Sequence, residues 1–168
     1  MATALATISL LLAFALQQPI PRESQPLCPT HDMHMMSLNE RGEKGMGFSQ
    51  MATTHHFLLT STGGAIVVQA NSSADSESRD EIRMHLQHIQ QAFQNGDFDI
   101  PMFVHSTVPP GVATMKQRAK NIRYSVEETA NGGRVIILTT DQKALRAIHS
   151  FLRFQITEHQ TGDPLGTP

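Results

Sequence analysis

Two glycine pairs, Gly63-Gly64 and Gly132-Gly133, lie 69 residues apart, and each sits between β-type runs that lead into a helical pattern. The stretch His55 to Ala70 (HHFLLTSTGGAIVVQA) reads as two strands around Thr62-Gly63-Gly64. Asn121 to Thr140 (NIRYSVEETANGGRVIILTT) repeats the design around Asn131-Gly132-Gly133. Glycine at such turns supplies positive φ angles that other residues reach only with strain. Each hairpin precedes a helix, from about Ser78 to Gln94 and from about Asp141 to His159. Ser76 or Ser78 and Asp141 are the N-cap candidates, and Gly96 and Gly162 the stops. In the second hairpin Ile122, Tyr124 and Val126 alternate with Arg123, Ser125 and Glu127, so one face is buried and one solvated. The expected fold is α+β: a two-layer sandwich of duplicated ββα units, with a four-stranded antiparallel sheet and two helices on one face.

The apolar faces of the helices follow from their period. Ile82, Leu86, Ile89 and Phe93 form the buried stripe of the first, and Leu145, Ile148, Leu152 and Ile156 that of the second. Phe151 and Phe154 lie off the second stripe. They predict either a wider buried face or a second packing surface, including a homodimer contact. The connector from Asp97 to Pro110 reads as irregular or as a short strand, with His105 at its surface.

Four segments follow: a signal peptide over 1–16, a flexible His-, Met- and Pro-rich leader over 17–52, a single domain over 53–163, and a tail over 164–168. The run Ala4 to Leu16 is too short to span a bilayer and fits a secretory apolar region, although no Lys or Arg precedes it. It predicts a periplasmic or extracellular protein without a stable membrane span. A net charge of −2 gives no field for nucleic acid, and the run Lys116, Arg118, Lys120 and Arg123 reads as a solvated face. One cysteine, Cys28, excludes an internal disulfide.

Chemistry concentrates in imidazole and thioether. The chain has nine His, nine Met and no Trp. Cys28-Pro-Thr-His31-Asp32-Met33-His34-Met35-Met36 places borderline and soft donors together, the set that copper or zinc selects. On the first helix His85 and His88 stand about one turn apart, with Glu81 one turn before His85. Two half-exposed border histidines would give the same pattern. His55 and His56 open a strand, so only one of them can enter any given site. The expected metal ligands are thus His55, His56, His85, His88 and Glu81, with His31, His34 and Met35 as a capture arm. The leading function is an exported copper- or zinc-binding protein. The alternatives are a non-catalytic ligand- or protein-binding module and, last, an acid-base enzyme using His55 or His56 with Asp97, Asp99 or Glu81. No His-Glu-x-x-His or Gly-x-Ser-x-Gly element occurs, and no catalytic residue is assigned.

The stretches ERGEKGMGFSQMATTHHFLL, GGAIVVQAN, RDEIRMHLQHI, DFDIPMFVH and AIHSFLRFQITEHQTGD resemble a family of small exported bacterial proteins of unassigned function. The resemblance covers about Asn39 to Asp163. Some members carry the label aspartate carbamoyltransferase, yet the Ser-Thr-Arg-Thr loop and the two α/β domains of the true transferases have no counterpart in this sequence. The resemblance implies a shared fold and export, without an activity.

Overall fold

A computed structural model describes residues 29–168, apart from a few side chains at the start of the first helix. The signal segment, Cys28 and the leader ahead of Pro29 lie outside the described residues, as do the side chains of His31 and His34. The elements run α1 (Pro29–Met46), β1 (Thr53–Thr60), β2 (Gly63–Ala70), α2 (Ser76–Gln94), α3 (Asp99–His105), α4 (Val112–Gln117), β3 (Ile122–Thr129), β4 (Gly132–Thr139) and α5 (Gln142–His159). A single 3-10 turn, Ala119–Asn121, leads into β3. Among the described residues no helix is long and apolar enough to cross a membrane.

The sheet is antiparallel throughout, in the order β1-β2-β4-β3. The two hairpins therefore meet at their second strands, the arrangement expected when a ββα unit is repeated about a pseudo-twofold axis. Helices α2 and α5 cover one face and bury Ile82, Leu86, Ile89 and Phe93 from α2 against Phe57, Ile66, Val68, Val135 and Ile137. The alternation in β3 holds, with Ile122 and Tyr124 buried and Arg123 and Ser125 exposed.

The expected positive φ is found at Gly63, at 154°, and not at the other hairpin glycines. Thr60 pairs with Gly63 and Thr129 with Gly132, so the two-residue turns are Ser61-Thr62 and Ala130-Asn131, and the glycines begin the next strands. Gly64 and Gly133 have no positive φ. They face the helices instead. A Cβ on Gly64 would fall 2.3 Å from a methyl of Leu152 on α5, and one on Gly133 3.1 Å from a methyl of Leu86 on α2. In each unit the missing side chain lets a helix settle onto the sheet.

Cap chemistry closes both long helices. Asp75, rather than Ser76 or Ser78, caps α2 by accepting from the Ser78 N–H at 3.0 Å. Asp141 caps α5 as expected, accepting from the N–H groups of Lys143 at 2.8 Å and Ala144 at 3.2 Å. The left-handed residue after α5 is Gln160, at φ 51°, two positions before Gly162.

Two expectations about the periphery are overturned. The connector after α2 is helical: α3 and α4 fold over α5, and α4 starts against the α5 backbone at Ala147. That cover widens the buried face of α5 to Ala144, Ala147, Ile148, Phe151, Leu152, Gln155 and Ile156. Phe151 is thus a core residue, 1% exposed, with its ring 6.0 Å from both Phe93 and Phe98. Phe154, half-buried, packs edge-on against His105 at 4.9 Å. Of the two expected outcomes, the wider buried face is the one Phe151 occupies. The leader, read as flexible to residue 52, carries α1 from Pro29, and its Leu38 and Phe48 are buried. Helix α1 packs on α3, where the Arg41 Nε donates to the Val104 carbonyl at 2.7 Å. The folded unit accordingly reaches back well before Thr53.

Candidate functional site: an apolar pocket among four histidines

Strand alternation sorts His55 from His56. Phe57 points to the core, so His55 shares its face and His56 takes the other. His55 then meets three more imidazoles brought by separate elements: His85 from α2, His105 from the end of α3 and His159 from the end of α5. Their rings form a chain. His55 and His159 lie nearly parallel with centres 6.0 Å apart, and His159 meets His105 edge-on at 5.0 Å. Phe48 stacks on His55 at 6.1 Å and stands edge-on to His85 at 5.5 Å. Phe57 closes the group against His159 at 5.6 Å.

These four histidines line an otherwise apolar pocket of about 70 Å³, together with Met46, Ile100, Val104 and Gln155. Among the described residues its lining contains no carboxylate. Burial disfavours the imidazolium form, so the ring pKa values fall. His55 drops to about 4, through burial first and then the neighbouring His56. His85 also drops to about 4, through burial and then His55 and His88, and His159 to about 3, through burial and then His105 and His55. At neutral pH these three are free bases, the protonation state that a metal ligand must have.

Hydrogen bonding separates the four. His105, 6% exposed, donates from Nε2 to Gln155 Oε1 at 2.9 Å, and its Nδ1 lies 3.9 Å from Glu158. The Nε2 atom of His55 is shut off from solvent and has no hydrogen-bond partner among the described residues. An unpaired buried nitrogen costs about 1–3 kcal/mol.

The expected ligand set is only partly assembled. His55 and His85 line the same pocket. His56 faces away and donates from Nδ1 to Asp163 at 2.9 Å. His88 is exposed and Glu81 half-buried on the flank of α2, outside the pocket lining. A separation of about 60° on the helix wheel places His85 over the pocket and turns His88 toward solvent. Met35 is half-buried on α1 and does not line the pocket. Among the described residues, no three His, Cys, Asp or Glu side chains stand close enough to hold one ion as placed. His149 donates from Nε2 toward the carbonyls of Thr60 and Gly63, at 2.9 and 3.1 Å, and ties α5 to the first turn.

His105, expected at the surface of the connector, is instead buried at the pocket, and Met46 and His159 are not among the expected ligands. All three stand at the last residue of a helix, past the stretch where periodicity assigns a face. The only signal for them was chemical type, and a lone border histidine is usually structural.

No protein-family model, no curated protein and no solved structure matches the chain.

Proposed function

We propose that the domain binds one soft metal ion, Cu(I) in the first instance, in the histidine-lined pocket. His55, His85 and the Met46 thioether are the donors, with His159 adjacent. The observation that carries this reading is the buried, unpartnered Nε2 of His55 among imidazoles kept neutral by burial. Size supports it. A cavity of about 150 Å³ is needed for benzene, and pockets for ordinary organic ligands are several-fold larger. At about 70 Å³, this pocket suits an ion or a few waters.

Charge supports the choice of ion. A divalent cation in a pocket without a carboxylate keeps its full charge uncompensated in an apolar setting. A monovalent ion costs less there, and thioether with imidazole is a donor set that Cu(I) selects. Two imidazoles and one thioether suffice for its low coordination number, which accommodates the lack of a preformed three-histidine group. Export, expected from Ala4 to Leu16, is consistent with copper handling outside the cytoplasm, and α1, whose Met33 is 69% exposed, retains the role of capture arm.

The test is anaerobic titration of the full chain with Cu(I) against a chromophoric chelator, with thermal melts alongside. One equivalent of retained copper and a raised Tm are expected, since a ligand at 100 times its Kd stabilises by about 2.7 kcal/mol. Failure to retain copper, with an unchanged Tm, overturns the reading. A rise with Zn(II) alone would replace the ion.

A further inference from the structure

His56, turned away from the pocket, leads to a second arrangement. Its partner Asp163 lies beyond α5, in the segment that follows Gln160. The Asp163 side chain is 9% exposed. Its Oδ1 accepts from His56 Nδ1 at 2.9 Å, and its Oδ2 accepts from the backbone N–H of Phe57 at 2.9 Å and from the Thr161 hydroxyl at 2.6 Å. Strand β1 is an edge of the sheet, so the Phe57 N–H has no strand to pair with on that side. One carboxylate thus clasps two consecutive residues of β1 from the chain segment just past His159.

The clasp lies where the pocket imidazoles meet. His55 precedes the clasped residues His56 and Phe57. His159 lies four residues before Asp163 and packs on both His55 and Phe57, at 6.0 and 5.6 Å. The tie formed by His149 lies at the opposite end of β1, at Thr60. Rings in van der Waals contact can slide, whereas a carboxylate holding two directed donors on the strand fixes distance and orientation.

We infer that Asp163 is a positioning residue: it holds β1 against the end of α5 and so sets the separation of the His55 and His159 rings in the pocket. The inference deepens the metal-binding reading and rests on it only for its effect on affinity.

The experiment compares wild type, Asp163→Ala and Asp163→Asn in the full chain, each shown to be folded by circular dichroism at the working temperature. Glu127→Ala, which breaks an exposed ion pair with Arg134 on the far strands, is the control. Asp163→Ala is expected to lose the nuclear Overhauser contact between the His55 and His159 rings in metal-free protein and to weaken Cu(I) binding at least tenfold. Asp163→Asn keeps one acceptor for the Phe57 N–H and recovers part of both signals, and Glu127→Ala changes neither. If the ring contact persists unchanged in folded Asp163→Ala, the positioning role is wrong. If wild type binds no Cu(I) but the contact still depends on Asp163, the metal reading fails and the positioning role stands. Should Asp163→Ala not fold, Asp163→Asn carries the same comparison.

Discussion

The imidazoles of His55 and His159 lie with their planes 10° from parallel, although 104 positions of sequence separate them. Both are pushed well below the usual histidine range, to about 4 and about 3, by burial first and by neighbouring imidazoles second. With His85, also at about 4, they give the fold an acid sensitivity whose sign is set. Between pH 6.5 and about 4 the unfolded chain protonates these rings and the folded chain does not, so protons favour unfolding. Stability is full above pH 6.5 and falls on acidification, by at most about 1.4 kcal/mol per pH unit per ring. Urea melts at pH 7, 6 and 5 should show the fall, and the His55→Leu, His159→Leu double variant should flatten it. Equal stability at pH 7 and pH 5 would contradict the burial of these rings.

Removing the unpaired nitrogen should separate stability from function. In His55→Leu the buried Nε2, which has no partner among the described residues, is exchanged for apolar volume. A gain of about 1 kcal/mol in metal-free stability is expected, since the penalty for an unsatisfied buried group is about 1–3 kcal/mol and the altered packing offsets part of it. The same variant should lose Cu(I) binding. Gain of stability with loss of ligand is the signature of a site residue. A loss of more than about 2 kcal/mol would mark His55 as a structural residue instead.

The two helix-facing glycines should not respond alike. A methyl on Gly64 meets both the Leu152 side chain at 2.3 Å and the Leu58 carbonyl oxygen at 2.4 Å, and the second of these is backbone. On Gly133 the nearest atoms, the Glu127 carbonyl oxygen and a methyl of Leu86, both stand farther off, at 3.1 Å. Gly64→Ala should cost about 3 kcal/mol or more and Gly133→Ala about 1 kcal/mol or less. Chemical denaturation of both variants checks the ranking, and similar losses would mean that the helices do not sit as closely on β2 as described.

The repeat was legible because both hairpin-helix units carry their own periodicities and turn residues. Ile82, Leu86, Ile89 and Phe93 could be placed from a 3.6-residue period alone, and Ile122 and Tyr124 from alternation. The site was legible only as residue types. His55 and His85 were identified, but His105 became buried because α3 folds over α5, and nothing local to DFDIPMFVH says where that short helix docks. His56 and Asp163 pair across 107 positions, a relation set by sheet-edge geometry rather than by spacing. The glycine pairs show the same limit in reverse. Turn chemistry located them, and the helix packing that requires Gly64 appears only once α5 is laid on the sheet.

Phe151 and Phe154, three positions apart on α5, should separate core from rim. Phe151 is fully enclosed between Phe93 and Phe98, and truncating an enclosed phenylalanine costs about 3–5 kcal/mol through lost transfer energy and the cavity left behind. Phe154 is half-buried and covers His105, so Phe154→Ala should cost about 1 kcal/mol and leave the fold intact. Phe154→Ala also opens the ring contact on one side of His105, which neighbours His159 at 5.0 Å, so a change in the His105 and His159 ring resonances is expected with little change elsewhere. Denaturation and a histidine proton-carbon spectrum of the two variants decide this. A tolerated Phe151→Ala that shifts the sedimentation coefficient would mean that Phe151 faces a second copy of the chain instead of the core. With Phe151 in the core, the variant instead loses most of its stability and sediments, where folded, as wild type does.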